Sequence, residues 1–294
     1  MIFWGLSYGH HDAAVVVMRN NKIVVAERAH SKDLDDDRLK ILAYAFPPNR
    51  VYIHENKKRD MWRKIVTGDW SRILVKKPFL PKKPMFGNHH LSHAATGFYT
   101  SDFGNALVVV ADAIGEQESL AVYHAHDNRL NTTPVFTLKY PMSFGLYYSH
   151  HTAMIGFKPN RDEHMLMEMS NQTSYTNYPL AMLSRDKKYH LYPETIVVDP
   201  TERKWIAATV QNQLEKYISN LVKRLSGDRL INLVFAGGVA YNKKLCEMLR
   251  YHVNVKDLYV PSHPGDAGSA LGAILQHTHQ SVVLENGKIF NETS

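Results

Sequence analysis

Two histidines four residues apart are the strongest metal-binding signal in the sequence. His89 and His93 lie in the segment Gly87-Asn88-His89-His90-Leu91-Ser92-His93. Residues four apart share one face of a helix, so both imidazoles can bind a single ion there. Asn88 is a typical helix N-cap and would place His89 at the start of that helix. Because the chain has 17 histidines, such a pair also arises by chance, and a metal site requires further ligands from elsewhere.

Two aspartates could complete such a site. Asp112 follows the β-branched run 108–110 and Ala111, at the carboxyl end of a predicted strand, where α/β sheets present reactive groups. Asp266 opens a predicted helix after Gly265, and it could equally serve only as an N-cap. Two imidazoles and two carboxylates suit iron, manganese or zinc, and this mixed donor set does not choose between them.

Two glycine-rich turns are candidate phosphate sites. Gly237 and Gly238 join a predicted buried strand to a helix, and Asn242 follows them. Paired glycines let backbone N–H groups approach an anion at a helix N-terminus. Gly265 begins a similar turn about thirty residues later. A purely structural turn is the alternative interpretation for each of them.

A histidine and an aspartate adjoin in the first predicted hairpin turn. His11 could act as a general base and Asp12 could orient it. A surface turn without a catalytic role explains the same residues equally well.

Positive charge is concentrated in one segment of the chain. The sequence carries 35 Lys and Arg against 28 Asp and Glu, a formal net charge of +7. Residues 57–83 contain ten of the basic residues against two acidic ones, with Trp62, Trp70 and Phe79 between them. Cations interleaved with aromatic rings suit a nucleic-acid backbone whose bases stack. A solvated basic face is the alternative.

The predicted secondary structure contains a strand meander that occurs twice. Strands over 2–7, 13–18 and 22–27 are followed about a hundred residues later by strands over 106–111, 119–124 and 133–139. The residues from Asp112 to Gly115 are expected to form the turn after the first strand of the second meander. Helices are predicted over 202–226, 239–251 and 266–277. The repeat predicts two related lobes.

Composition limits where the protein can act. No apolar run approaches the roughly 20 residues that a membrane span needs, so no membrane partner is expected. The single cysteine, Cys246, excludes an intrachain disulfide and indicates a reducing cytoplasm. Its position in a predicted helix favours a core residue over a nucleophile.

In their order along the chain, these segments resemble the N-terminal domain of the nodulation-protein and antibiotic O-carbamoyltransferase family. That domain is itself similar to the tRNA threonylcarbamoyladenosine transferase. The resemblance covers about residues 1–277. It is carried by the segments His11-Asp12-Ala13-Ala14, Glu27-Arg28, His89-His90-Leu91-Ser92-His93-Ala94-Ala95, Asp112-Ala113-Ile114-Gly115-Glu116, Ser143-Phe144-Gly145-Leu146-Tyr147-Tyr148, Gly237-Gly238-Val239-Ala240-Tyr241-Asn242 and Gly265-Asp266-Ala267-Gly268-Ser269-Ala270.

The resemblance implies an α/β fold of the two-lobed actin/Hsp70-like (ASKHA) type with a nucleotide between the lobes. We expect lobe I at 1–101, lobe II at 102–279 and a tail at 280–294. The resemblance also assigns roles to individual positions. The implied metal ligands are His89, His93, Asp112 and Asp266; the implied nucleotide positions are Gly115, Gly237, Gly238, Asn242 and Gly265; the implied acceptor-side residues are His11 and Asp12.

The implied chemistry moves a carbamoyl group from carbamoyl adenylate, made from carbamoyl phosphate and ATP, to an acceptor hydroxyl. The chain departs from the family pattern in two respects. We expect no YrdC-like domain after the last helix, so the adenylate would come from a separate protein, the chain would use carbamoyl phosphate differently, or it would not be a transferase. Met165 and Glu168 stand where the family has a lysine and a glycine, which puts one nucleotide or acceptor contact in question.

The basic segment directs the acceptor hypothesis toward a nucleic acid. We expect transfer to a base hydroxyl, such as that of 5-hydroxymethylcytosine in DNA, because binding a small sugar does not require the positive electrostatic field of this segment. The compact profile resembles viral members of the family, which would act in a host cytoplasm. Two alternatives remain: threonylcarbamoyl-type transfer to tRNA adenosine, and a non-catalytic nucleotide-binding subunit.

Overall fold

Two mixed β-sheets form the framework of the chain. The computed structural model describes residues 1–9, 12–31, 33–56, 77–180, 183, 189, 193 and 196–290. The strands of the first sheet are Ile2–Ser7 (β1), Ala13–Arg19 (β2), Lys22–Ala29 (β3), Arg50–Ile53 (β4) and Met85–Phe86 (β5). They are arranged in the order β3-β2-β1-β4-β5.

The second sheet repeats this arrangement. Its strands are Ala106–Gly115 (β6), Glu118–His126 (β7), Arg129–Leu130 (β8), Phe136–Lys139 (β9), Ile231–Ala236 (β10) and Val255–Tyr259 (β11). The order is β11-β10-β6-β7-β8, and β9 also pairs with β7. In each sheet the first strand pairs antiparallel with the second and parallel with a strand from a later crossover. The predicted repeat of the meander is therefore confirmed.

Seven helices accompany the sheets in the described part of the chain. They are Asp36–Ala45 (α1), His89–Tyr99 (α2), Phe144–Met154 (α3), Glu163–Met169 (α4), Pro200–Ser226 (α5), Lys243–Arg250 (α6) and Asp266–Thr278 (α7). One buried core joins α2 and α7 to residues of both sheets, so these two helices lie between the sheets. A second core packs α3, α5 and α6 on the outer face of the second sheet, and a third packs α1 on the first.

Glycines let α2 and α7 approach each other and the sheets closely. A Cβ on Gly272 of α7 would collide with the carbonyl oxygen of Ser92 in α2. A Cβ on Gly5 of β1 would collide with the carbonyl oxygen of Ala270, and one on Gly97 would lie 2.6 Å from a methyl group of Val234. The backbones are therefore in direct contact where the helices cross, which fixes their relative position.

Two elements differ from the sequence predictions. Residues 112–115 are not a turn, because β6 continues to Gly115 and its register against β7 shifts between Ala111 and Gly115. The helix predicted over 239–251 is broken at Asn242. A short 3-10 turn over Gly238–Tyr241 precedes α6, and the side chain of Asn242 caps α6. Both differences lie at the edge where the two sheets end, at the site described below.

The C-terminal residues cover the central helices. Val282, Ile289 and Phe290 are buried in the same core as α2 and α7, and the Val282 N–H donates to the Tyr99 carbonyl at 2.8 Å. The division at residues 101 and 102 stays a prediction, since α7 packs against β1 of the first sheet. Within the described residues, no helix is both long enough and apolar enough to cross a membrane.

The crossing of α2 and α7 should tolerate no side chain at Gly272. We expect Gly272→Ala to lower the free energy of unfolding by about 1–3 kcal/mol, as overpacking of a close contact does. The measurement is a denaturant unfolding curve. Gly104→Ala is the control, because its Cβ would lie 3.4 Å from the nearest atom. Equal stability of both variants would contradict the close packing.

Candidate metal centre

The four predicted metal ligands come from three elements. His89 and His93 lie in α2, whose residues are all buried, Asp112 lies in β6 and Asp266 is the first residue of α7. Asn88 caps α2 as predicted, since its Oδ1 accepts from the Leu91 N–H at 2.9 Å. The four side chains belong to segments up to 177 residues apart in the sequence, and the central helix pair brings them together.

The ligand atoms of these four side chains converge on one point. The Oδ2 atom of Asp112 lies 3.2 Å from the Nε2 atoms of both histidines. The Oδ1 atom of Asp266 lies 3.6 Å from Nε2 of His89 and 3.3 Å from Nε2 of His93. The two Nε2 atoms are 3.2 Å apart. All four ligand atoms lie within 4.8 Å of one another, so the expected convergence is observed.

The other nitrogen of each histidine also has an acceptor. Nδ1 of His89 lies 3.2 Å from Oε2 of Glu55, and Nδ1 of His93 lies 3.0 Å from the carbonyl oxygen of Pro264. A carbonyl or carboxylate at Nδ1 requires the proton there, which leaves the lone pair on Nε2. The environment thereby selects the tautomer that can bind a metal.

This donor set fits a metal ion. With both protons on Nδ1, two imidazole nitrogens and two carboxylate oxygens face one another with no donor between them, and such an arrangement needs a cation. Atoms bound to one ion at about 2.0–2.2 Å lie about 3–4 Å apart, which matches the observed separations. The set of two histidines and two aspartates suits iron, manganese or zinc.

The pKa shifts of the ligands agree with this picture. Burial disfavours a charged His89, but hydrogen bonds to Asp112 and Glu55 raise its pKa well above the ordinary value. His93 has a raised pKa for the same reason, through Asp112 and Asp266. Burial opposes ionisation of Asp112, yet the two histidines hold its pKa well below the ordinary value. The site thus attracts positive charge, as protons or as a metal ion.

His90 is the exception in the histidine cluster. It is buried and its ring lies 5.5 Å from that of His89, but it belongs to neither group of potential metal ligands. Burial, together with the charge of His89, lowers its pKa to about 3. His90 is therefore a neutral core residue next to the ligands.

Two of the predicted nucleotide glycines make room for metal ligands. A Cβ on Gly115 would collide with the imidazole of His89, and a Cβ on Gly238 would lie 2.9 Å from Oδ1 of Asp112. That same Oδ1 accepts from the Ala113 N–H at 2.7 Å, which turns Oδ2 toward the histidines. Phosphate contacts by Gly115 and Gly238 stay a prediction.

The glycine turn at residue 237 is joined to the metal centre. Gly237 has φ of +89°, and a Cβ there would collide with the Ala111 carbonyl. Its N–H donates to the Pro264 oxygen at 2.9 Å, the same oxygen that faces His93. This N–H is engaged within the protein, so any anion at the turn would have to meet other donors.

Gly265 and Asn242 have defined structural positions beside this turn. Gly265 is the N-cap of α7, so Asp266 is not the cap that sequence reasoning allowed it to be. A Cβ on Gly265 would lie 2.9 Å from the ring of Tyr241. Asn242 accepts from the Leu245 N–H at 2.9 Å and donates to Gln211 at 2.8 Å. Nucleotide contacts by Gly265 and Asn242 stay predictions.

The predicted acceptor turn is described only in part. His11 falls outside the described residues, so its position is not assigned. The carboxylate of Asp12 accepts from Arg28 at 2.9 Å and lies 3.8 Å from Nδ1 of His30. The charges of Arg28 and Asp12 act on the pKa of Tyr241, which burial raises.

Most of the basic segment also falls outside the described residues. Only 77–83 are described, and Lys82 lies 3.5 Å from the Asn49 carbonyl. Of the two departures from the family pattern, Met165 is partly exposed on α4 and Glu168 lies on the same helix. Cys246 packs against the outer core, and burial raises its pKa to about 11, which supports a structural role.

Sequence reasoning missed Glu55. Its side chain is fully buried, and it is the second residue after the end of β4, following His54. The pattern that predicted Asp112 also applies to Glu55: each is a carboxylate at the carboxyl end of a parallel strand. The short strand and the charged residues after it concealed the pattern.

Comparison with known proteins identifies the sequence family. The family described as "Carbamoyltransferase N-terminus" matches residues 41–192 and 173–275. An uncharacterized protein of Synechocystis, sll1178, is 31% identical over 67% of this chain and 37% of its own length. The nodulation protein NolNO of Sinorhizobium fredii is 26% identical over 68% of this chain and 32% of its own length. The chain thus spans about a third of these relatives.

Comparison with solved structures identifies the fold. The activator of 2-hydroxyisocaproyl-CoA dehydratase from Clostridium difficile, solved with bound ADPNP, is 18% identical with a TM-score of 0.54. It covers 95% of this chain and 96% of its own. The chain therefore has the two-lobed actin/Hsp70-like fold that the sequence predicted.

Removing one ligand should abolish tight metal binding. We expect His89→Ala to weaken binding of Fe²⁺, Mn²⁺ or Zn²⁺ by more than about 100-fold, because loss of an outer partner alone costs about 10- to 100-fold. Titration against a competing chelator measures this. His90→Ala is the matched control, since it removes an equally buried neighbouring imidazole. Equal affinities of the two variants would contradict the centre.

Proposed function

Because this chain belongs to the carbamoyltransferase family and matches the N-terminus of that family's proteins, we propose that it transfers a carbamoyl group to an acceptor hydroxyl with the help of a bound metal ion. The observation that carries the proposal is the convergence of His89, His93, Asp112 and Asp266 beside the glycine turns. The chain spans only part of its curated relatives, so the donor and the acceptor are parts of the proposal.

The donor we propose is carbamoyl adenylate, or carbamoyl phosphate with ATP. The four converging side chains would hold the metal ion, which supplies charge neutralisation at phosphate oxygens when bound. The turns at Gly237–Gly238 and Gly265 adjoin the metal ligands, so a phosphate next to the ion would also lie next to them. Gly115 borders the same ligands from β6.

Residues of the acceptor turn would handle the proton. In the proposed reaction the acceptor hydroxyl oxygen bonds to the carbamoyl carbon, and the bond from that carbon to the phosphate oxygen breaks. His11 takes the hydroxyl proton, a contribution typically worth about 100- to 10,000-fold in rate. Asp12, which Arg28 holds by an ion pair at 2.9 Å, is placed by the sequence next to that histidine and would orient it.

A nucleic acid is the acceptor we propose. The ten basic residues of segment 57–83 and its interleaved aromatic residues suit a phosphate backbone with stacked bases. The segment follows Glu55 and Asn56 directly in the sequence, and Oε2 of Glu55 lies 3.2 Å from Nδ1 of His89. An acceptor bound along it would therefore start close to the site, with 5-hydroxymethylcytosine in DNA as the representative acceptor base.

The direct test weighs nucleosides after reaction. The chain is incubated with a divalent metal, ATP and carbamoyl phosphate, with and without a separate carbamoyl-adenylate-forming protein. Hydroxymethylated DNA, unmodified DNA and tRNA serve as acceptors. We expect the mass of one carbamoyl group on hydroxymethylated nucleosides, and its loss in Asp112→Asn.

Other outcomes of this experiment identify other functions. A modified tRNA adenosine would replace the DNA acceptor by threonylcarbamoyl-type chemistry. No product on any acceptor in the presence of the adenylate-forming protein, while nucleotide still binds, would overturn the transferase proposal in favour of a non-catalytic nucleotide-binding subunit.

The basic segment can be tested by salt dependence. We expect glutamine at Lys76, Lys77, Lys82 and Lys83 to weaken DNA binding and to lower the slope of log K against log salt by about 0.9 for each lost phosphate contact. The control carries glutamine at Lys139, Lys216, Lys223 and Lys256, which are exposed elsewhere and give the same net charge. Equal slopes would remove the segment from acceptor binding.

A further inference from the structure

The two metal-facing histidines have chemically different partners at Nδ1. His93 faces the neutral carbonyl of Pro264 at 3.0 Å, whereas His89 faces the carboxylate of Glu55 at 3.2 Å. A carboxylate partner makes an imidazole a more basic ligand than a carbonyl partner does. The centre is therefore asymmetric, with His89 as the stronger donor.

The burial of Glu55 requires an explanation. Its side chain has 0% relative exposure, and a carboxylate in such a place is costly unless it is paired. Its Oε2 atom lies 3.2 Å from Nδ1 of His89 and 3.8 Å from Nε2 of His54, and both histidines are buried as well. A metal ion on the far side of the His89 ring would supply the compensating positive charge through that ring.

The position of Glu55 is fixed from both lobes. It follows β4 of the first sheet, and the N–H of the next residue, Asn56, donates to the carboxylate of Glu116 at 3.1 Å. Glu116 follows Gly115, which packs against the His89 ring. The carboxylate at Nδ1 and the glycine at the ring edge thus hold His89 from two sides.

We propose that Glu55 is the positioning residue of the metal centre: it fixes the tautomer and orientation of His89 and sets the affinity for the ion. This inference rests on the proposed metal centre but is independent of the carbamoyl donor and acceptor. Glu55 acts through His89 and does not bind the ion itself.

A second cation is the competing explanation. Glu55, His54 and His89 have ligand atoms within 4.8 Å of one another, so His89 could in principle bridge two ions. We favour a hydrogen bond from Nδ1 of His89 to Glu55, because a second ion at Nδ1 would require His89 to lose its remaining proton. Outer carboxylates are also the usual partners of metal-bound imidazoles. The number of ions per chain separates the two explanations.

The experiment measures metal binding to the full chain without any carbamoyl donor. We expect one tightly bound Zn²⁺ or Mn²⁺ per chain, an affinity about 10-fold weaker in Glu55→Gln and up to about 100-fold weaker in Glu55→Ala. Glutamine keeps an oxygen acceptor for Nδ1 but removes the charge. Glu27→Gln is the control, since it neutralises a partly buried glutamate of the first sheet that pairs with Arg38, and the metal affinity of this variant should be unchanged.

Thermal unfolding of the metal-free variants reports separately on folding. A structural role alone would lower the melting temperature of Glu55→Gln and leave the affinity of its folded form unchanged, which would overturn the inference. Two ions per chain would overturn it as well. Weaker metal binding in Glu55→Gln combined with an unaltered melting temperature would support it, whether or not carbamoyl transfer is observed.

Discussion

Two imidazole nitrogens and two carboxylate oxygens meet inside this protein, and with each histidine protonated at Nδ1 all four atoms present lone pairs to one another. Such a group of electron-pair donors is stable only around positive charge. Three features of the surrounding structure allow these atoms to meet: the close contact of Gly272 with α2, the space left by Gly115 and Gly238, and the acceptors at both Nδ1 atoms. The fold can be understood as a means of placing three elements at that point.

The sequence predicted much of this arrangement because each ligand lies in a recognisable local setting. Asn88 predicts the start of the helix that carries the two histidines, and the β-branched run before Asp112 predicts a central strand that ends near this aspartate. The repeated meander predicted two lobes because strand alternation and turn residues are local signals. Family resemblance then supplied the pairing of these distant segments, which no local pattern contains.

What the sequence did not predict depends on tertiary contacts. The irregular continuation of β6 through residues 112–115 comes from pairing with β7 and from the turn of Asp112 toward the histidines. The break at Asn242 follows from its cap on α6 and its bond to Gln211. Glu55 was overlooked since its partner, His89, lies 34 residues later. In each case the deciding neighbour is far away in the chain.

The carbonyl of Pro264 has a consequence for how ligands communicate. One peptide oxygen receives both the Nδ1 proton of His93 and the backbone N–H of Gly237. A molecule that displaces the turn at Gly237 would also displace the Pro264 carbonyl and so change the orientation of the His93 imidazole. The proposed cation and the proposed nucleotide would then be thermodynamically linked, each altering the other's dissociation constant by the same factor.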